Sequence, residues 1–599
     1  MRRTLAAVRA PAPTSLPWWR PRHEVLLLAL VAVVAFLPAY RVGDQDLSRF
    51  CLTQAIVHGH LSNDRCLEPS FDKAIYGGHL YSDKAPGLSF YAVPAAEAVR
   101  LPPLEEVEGT NARLWAVHVL TSGLAFLLVA FLVGRTAEGL ASGRGAAALA
   151  AFALGTMVAP LAATGFAHVT AAALGFAAFV FAWRRRPLPA GLAAGAAVLA
   201  EYQTAAIAVA VGLYVLVRGA RPVAAYVAGL VPGVAALLVY DALAFGSPWH
   251  LSYRYVAIKE QQTGFFGIGA PHLHSTWEVF GGSSGLLVVS PVLVAAAHGL
   301  VLLARTRPLE VGVCALVGIF FLLLACGYFA PYGGTVLGPR FVVPALPFLA
   351  VGLGPAFARR PFVTGLLTVA STLAVVALTL VWAGHPTLHG TIWGEIARVP
   401  SEGRASGLMR HMTDNVFSWT SAGSGWGLAA MVGTASAALA VALPRGPLDV
   451  RRHPWRTAAA AAIGLALVAG ALHIARSPID LHTSIEASST AAFPGDEVDF
   501  KVGIVNDTSE YLPHALLMIR LPAGMRLLGP PAHERGRGCR GDATLTCDLD
   551  FLEGHMRTVV QLGVRIGEGA GSSLTVAAWG VAGDVRGPTS SFTVVTGSG

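Results

Sequence analysis

Apolar residues fill most of the chain from Glu24 to about Ala475, in long runs separated by short polar turns. A membrane-spanning helix needs about 20 apolar residues. Runs of that kind recur near 24–40, 113–134, 144–164, 165–183, 188–201, 202–217, 222–243, 285–304, 309–329, 341–358, 362–383, 424–443 and 457–475. The pattern predicts an all-α polytopic membrane region over 24–476, with about 13 transmembrane helices and a short segment, 1–23, ahead of it. From about Ser477 the period changes. Phe493–Asp507 alternates and then turns, and strand-like runs follow at Ala515–Leu521, Ala543–Cys547, Thr558–Arg565 and Ser573–Gly580. Short strands separated by turn residues predict a C-terminal β-sandwich over 477–599.

Arginines then set the orientation. Arg2, Arg3, Arg9, Arg20 and Arg22 precede the first run, which makes the N-terminal segment cytoplasmic under the positive-inside rule. Arg135 with Arg144, Arg184 to Arg186, Arg218 with Arg221, Arg305 with Arg307, Arg359 with Arg360, and the group from Arg445 to Arg456 then fall at cytoplasmic turns. Thirteen spans satisfy every cluster and put the C-terminal domain outside. The segment 86–103 is apolar enough to span, but counting it would invert every later cluster, so it is expected as a juxtamembrane or re-entrant helix on the outer face. Tyr40-Arg41, rather than a small-residue cleavage site, follows the first run, which is therefore expected to remain as a helix in a plasma-membrane protein.

Composition agrees with this reading. The 599 residues are 54% hydrophobic and 13% charged, with a mean hydropathy of +0.58, against about 25% charged in a soluble domain. The net charge of +8 sits in the turn clusters, which argues for topology and against a nucleic-acid partner. Of 43 basic residues only four are lysines: Lys73, Lys84, Lys259 and Lys501. Cys51 with Cys66, and Cys539 with Cys547, suit disulfides if both regions face an oxidising exterior; Cys314 and Cys326 read as buried thiols.

Three long outer loops, 41–112, 244–284 and 384–423, are where a site can be built. The first opens on Gly43-Asp44-Gln45-Asp46, directly after the first span. Two carboxylates at i and i+2 suit a general base or divalent-metal ligands, or simply a solvated helix cap. Tyr76 to Gly87 follows, containing His79, Tyr81, Asp83, Lys84 and Pro86, and Asn111-Ala112-Arg113-Leu114 opens the next span. This order resembles the GT-C superfamily of polyprenyl-phosphate-sugar-dependent glycosyltransferases, in the branch of protein O-mannosyltransferases and lipid A aminoarabinose transferases. Asp44 and Asp46 stand in its acidic position, Asp83-Lys84-Ala85-Pro86 in that of its Lys-Pro-Pro segment, and Ala112-Arg113-Leu114 in that of its last element. Ala85 departs from the usual proline. The resemblance covers about residues 24–135 by motif and the remaining helices by architecture.

The resemblance implies inverting sugar transfer from a polyprenyl-phosphate donor to a hydroxyl on a lipid, protein or wall-glycan acceptor at the outer face. Asp46 would deprotonate or orient the hydroxyl, and Lys84 with an arginine, among them Arg113, would hold the departing phosphate. Asp83 and His79 would bind a divalent metal or orient the lysine. The bland alternatives are a snorkelling Lys84 and an ordinary loop histidine. Glu201 interrupts an apolar run at an outer turn, where a carboxylate is costly without a partner or water. His168, at another outer turn, is a weaker substitute for an acidic residue that relatives often carry there. Arg254, among Trp249, Tyr253 and Tyr255, suits phosphate binding and sugar stacking, or an aromatic belt. Arg340, at the outer end of a span, reads as a phosphate ligand or half of an ion pair. No Walker A loop appears, which agrees with a lipid-linked donor. In the C-terminal segment, Leu521-Pro522-Ala523-Gly524, Cys539, Cys547-Asp548-Leu549 and Leu552-Glu553-Gly554 resemble conserved-repeat immunoglobulin-like domains of bacterial surface proteins. The competing functions are a lipid-linked-sugar flippase or transporter, and a cell-surface scaffold.

Overall fold

The structure, a computed structural model, describes residues 21–38, 43–100, 112–382, 421–443 and 481–597, apart from 69, 259, 283, 334–337, 508–511, 514, 553–555 and 583–584. The N-terminal segment 1–20, residues 384–420 of the third predicted loop and the predicted span 457–475 lie outside the described residues. The chain divides into two compact units, one helical and one of strands.

The helical unit buries one large apolar core, with two smaller apolar clusters at the first loop. Its centre is Gly145–Gly155, eleven small and apolar residues, all buried, packed by the helices Leu124–Leu140, Pro361–Trp382 and Ser421–Ala442. Three described helices are long and apolar enough to cross a membrane by length and composition: Ala112–Leu140, Ala220–Phe245 and Pro308–Gly327. Two bent pairs, Leu273–Val289 with Val292–Ala304 and Arg340–Ala350 with Leu353–Arg359, would bring the number to five. Among the described residues, several of the expected runs are thus shorter or broken helices rather than single uniform spans. The run 144–164 stops being helical after Gly155, ahead of Pro160. The runs 188–201 and 202–217 form helices of 14 and 12 residues that break at the extended backbone of Glu201. The run 341–358 breaks around Pro344, Pro347 and Gly352.

Polar side chains gather at the two ends of the helices rather than along them. At one end Arg135 donates two hydrogen bonds to Glu24, at 2.8 and 2.5 Å. Arg184 lies within charge-interaction range of Arg135, and Arg218 donates to the carbonyl of Ala182 and to Tyr214, which donates to Glu310. At the other end the first loop folds. The helix Asp44–Val57 is tied to Asp64–Leu67 by the Cys51–Cys66 disulfide. The hairpin Lys73–Tyr76/His79–Ser82 follows, in the register Lys73↔Ser82 to Tyr76↔His79. Its two-residue turn is Gly77-Gly78, both with positive φ (59° and 82°), as a type I′ turn demands. The segment expected at 86–103 contains the helix Gly87–Val99. Thirteen residues rise only about 20 Å, too short to cross a hydrocarbon core.

Close backbone contact fixes where this loop's partners sit. On the helices Pro187–Ala200 and Ala220–Phe245, Gly191 and Gly195 face Gly229 and Gly233, and a Cβ on any of the four would strike backbone of the opposite helix. This is small-residue packing at four-residue spacing, which lets two apolar helices touch along their backbones. Gly87 in turn lies against the backbone of Leu199 and Ala200. The same contacts therefore hold Glu201 and the first loop together.

In the other unit two sheets share one core. One runs in the order Gly538–Arg540, Thr544–Asp548, Ala515–Arg520, Ser573–Ala582, Ser590–Thr596 and Ala491–Ala492. The other runs Leu481–Ala487, Glu497–Asn506, Arg557–Ile566 and Met525–Leu527. Neighbours are antiparallel except Ser590–Thr596 with Ala491–Ala492. Burial alternates along Arg557–Ile566, and Phe500, Ile504, Leu517, Ile519, Leu562 and Val576 meet inside. Cys539 and Cys547, opposite each other in the register, form a disulfide.

Gly195→Leu is expected to drive side-chain atoms into the backbone of Leu230, costing about 1–3 kcal/mol or more as overpacking does. Gly195→Ala should cost less. Thermal unfolding of the purified chain in detergent, compared across the pair, checks this.

Candidate functional site

The loop helix Asp44–Val57 supplies the first side chains. Asp46 and Arg49, three residues apart, share a face, and both are buried. Asp46 Oδ1 accepts the Gly165 N–H at 2.5 Å and lies 4.0 Å from His118 Nε2, while Oδ2 accepts the Gly43 N–H at 3.3 Å. Arg49 donates to Gln45 Oε1 at 2.8 Å and to Glu201 Oε1 at 2.7 Å. The same Glu201 oxygen is 3.6 Å from His168 Nδ1, and Glu201 Oε2 accepts from Gln203. Arg49 and Glu201 are 3% and 2% exposed, so each charge is desolvated and compensated chiefly by the other.

The hairpin brings in the lysine. The strand ends at Ser82, whose hydroxyl meets Ser48 Oγ at 2.8 Å, and Ser48 donates to Asp83 Oδ1 at 3.3 Å. The chain turns inward there and buries Lys84 with Nζ 3.0 Å from Asp72 and 2.9 Å from Asp83. Burial pushes the Asp83 carboxyl up to about 6, against the pull of Lys84. Burial alone would lower Lys84, but Asp72 and Asp83 outweigh it and hold its pKa above the usual value. Ser252, from the second loop, donates to the Asp83 carbonyl at 2.6 Å and meets Tyr202 Oη at 3.1 Å.

Arg340 completes the cluster. It is buried, with its guanidinium over the rings of Phe166 (5.2 Å) and Phe341 (5.4 Å). The charges of Lys84 and Arg340 reach both Glu201 and His168. Lys84, Glu201 and Arg340, widely separated in sequence, thus meet in one polar centre at one end of an apolar bundle, and Asp46 is tied to Gly165, next to the Phe166 ring beneath Arg340.

Other expected residues sit elsewhere. Asp44 anchors the loop, its Oδ1 accepting the Phe71 N–H at 3.0 Å. Tyr81 packs on Phe245, ring centroids 5.3 Å apart, in an apolar cluster. Arg113 is exposed and donates to the Arg100 carbonyl at 3.4 Å. Arg254 is exposed too; its neighbour Tyr253 turns toward the cluster, within reach of the charges of Glu201, Asp83 and Arg49. The expected metal pair of His79 and Asp83 is corrected. His79 is an exposed partner of Asp64 at 2.9 Å, because Asp64 caps that end of the hairpin through the Leu80 N–H. Asp83 is buried, and the Lys84 ammonium occupies the space between it and Asp72 where a cation would sit. Among the described residues no three His, Cys, Asp or Glu side chains gather to hold a metal. Arg49, Asp72 and His118 were not foreseen as site residues. The available signal was an arginine in the loop helix Asp44–Val57, three residues after Asp46 and directly before the apolar Phe50.

Glu201→Ala is expected to leave Arg49 as an uncompensated buried charge and cost about 3–5 kcal/mol of stability. Adding Arg49→Met should recover most of it, by thermal unfolding. For Asp83, with its pKa raised on folding, the stabilising contribution is full below about pH 4 and is lost as pH rises through about 6. The unfolding temperature of Asp83→Asn, relative to wild type, should therefore climb between pH 4 and 6.

No protein-family model and no curated protein matches the chain. Among solved structures, the chain is similar to ArnT from Cupriavidus metallidurans bound to undecaprenyl phosphate, with 15% identity over 76% of this chain and 76% of that one and a TM-score of 0.43. It is also similar to the archaeal oligosaccharyltransferase AglB from Archaeoglobus fulgidus, in complex with an inhibitory peptide and a dolichol-phosphate. There the identity is 14% over 65% of this chain and 59% of that one, with a TM-score of 0.39. BcpA, the major pilin subunit of Bacillus cereus, matches at 16% identity over 20% of this chain and 40% of its own length, with a TM-score of 0.16. These are likenesses, and at such scores the chemistry has to be argued from the residues.

Proposed function

We propose that the chain is an integral membrane glycosyltransferase of GT-C type, acting at the outer face on a sugar carried by a polyprenyl phosphate. The observation that carries this is the buried meeting of Arg49, Lys84, His168, Glu201 and Arg340, drawn from five separate segments. Burying so many charges is expensive unless a ligand or a reaction uses them. Two arginines and a histidine suit a phosphate leaving group, and apolar helices around them suit a lipid carrier. The motif order of the first loop points the same way.

The acceptor hydroxyl oxygen attacks the anomeric carbon, forming the new glycosidic bond. The bond from that carbon to the phosphate oxygen breaks, and the electron pair leaves with the polyprenyl phosphate. The hydroxyl proton passes to the Asp46 carboxylate, a general base. Its two backbone N–H donors fix the orientation of the carboxylate. Arg49 and Arg340 stabilise charge that develops on the leaving phosphate, in a desolvated place where such interactions are strong. No step is routed through a metal.

Asp46→Asn is expected to lower transfer from a radiolabelled polyprenyl-phosphate sugar about 100-fold or more in proteoliposomes, the usual range for a lost general base. Asp44→Asn, which keeps its loop contact, should stay within a few-fold. Equal activity of Asp46→Asn and wild type would refute the role given to Asp46.

A further inference from the structure

Four buried nitrogen atoms of the cluster have no hydrogen-bond partner among the described residues: Arg49 Nε, Arg340 Nε, and both Nδ1 and Nε2 of His168. Buried polar atoms in folded proteins are almost always partnered, so four orphans in three neighbouring residues mark a place built for something else. The three side chains are held together. Arg49 and His168 approach the same Glu201 oxygen, at 2.7 and 3.6 Å. His168 and Arg340 share two aromatic walls, with the imidazole 5.6 Å from Phe341 and 6.1 Å from Phe166, centroid to centroid. Arg340 also has no carboxylate within 4.0 Å among the described residues, so its charge is not cancelled by an ion pair.

Lys84 is the opposite case. Two carboxylates, Asp72 and Asp83, hold its ammonium at 3.0 and 2.9 Å. Its charge is spent inside the protein.

We propose that the phosphate of the ligand is bound by the nest of His168, Arg340 and Arg49, with His168 as a direct ligand, and that Lys84 is a positioning residue. This rests on the transferase reading for the identity of the phosphate carrier. The ligand class is a phosphate monoester or diester, whose oxygens accept from all three side chains. Arginine matches phosphate geometry, and an imidazole offers one N–H when neutral and two when protonated. Asp72, Asp83 and Lys84 form a compensated triad that fixes the loop beneath Ser48 and Ser82.

The test is binding of a polyprenyl monophosphate to the full chain in nanodiscs, with unphosphorylated polyprenol and inorganic phosphate as probes beside it. Wild type is expected to bind the monophosphate and not the polyprenol. His168→Leu and Arg340→Gln should each weaken binding about tenfold or more, the scale of one hydrogen bond to a charged group. His168→Asn, which restores an N–H, should recover to within about threefold. The neutral triad Asp72→Asn/Asp83→Asn/Lys84→Met should bind within about threefold of wild type. Millimolar inorganic phosphate competing in wild type but not in His168→Leu supports a cradle for the headgroup. Unchanged binding by both His168→Leu and Arg340→Gln overturns the assignment, as does loss of binding in a folded neutral triad. Sugar transfer is measured alongside. Phosphate binding that depends on His168, with no transfer under any donor, sinks the transferase reading alone; transfer with His168-independent binding sinks this assignment alone.

Discussion

The ion pair between Arg49 and Glu201 is the constraint on which the rest of this molecule hangs. A carboxylate breaking an apolar helical run and an arginine on a loop helix are each too costly to bury alone. Joined at 2.7 Å, they lock the first loop to the break between Pro187–Ala200 and Ala205–Leu216. Everything polar nearby is arranged from that lock. Asp46 lies three residues before Arg49 and His168 beside Glu201, while the Lys84 triad sits beneath the same helix. The backbone contact of Gly191, Gly195, Gly229 and Gly233 holds the Glu201 helix from behind, and Gly87 presses the loop onto its end.

That arrangement gives the centre an internal asymmetry. The Asp72–Lys84–Asp83 side is electrostatically closed, with a cation between two anions. The His168–Arg340 side is open, with donors that lack partners. Asp46 is held by two backbone N–H groups, those of Gly43 and Gly165. A fixed carboxylate and unspent donors are the two features on which the proposed transfer rests. The opposite end of the bundle, with Glu24–Arg135 and Tyr214–Glu310, shows paired structural contacts instead.

Much of this was legible because charge is scarce in the chain. Asp46, Lys84, Glu201 and Arg340 stood out against apolar surroundings, and each lies in or beside the cluster. What could not be read is finer than a run of residues. Tyr253 faces the cluster and Arg254 does not, a choice made by one residue's rotation in a tight turn. His79 and Asp83 parted company because the strand ends at Ser82 and the chain turns in, while Asp64 captures the histidine. Arg49 did not stand out as a site residue, because a partner 152 residues away leaves no local trace. Helix ends inside the apolar runs were hidden for a related reason: hydropathy reports which residues are apolar, while Pro160, Glu201 and Pro344 mark where helices stop. In the C-terminal unit the strands Glu497–Asn506 and Arg557–Ile566 followed from alternation, whereas Leu481–Ala487 and Ser590–Thr596, with weaker alternation, did not.

The central claim is that the open side of this centre receives a lipid-linked phosphate. The most direct measurement is a cryo-EM map of the full chain in nanodiscs with polyprenyl monophosphate. The account predicts phosphate density within hydrogen-bond distance of Arg340 and His168, with the lipid leading away along the apolar helices and Lys84 still between Asp72 and Asp83. Phosphate density on Lys84 in place of those carboxylates, or at the opposite end near Arg135, would contradict it.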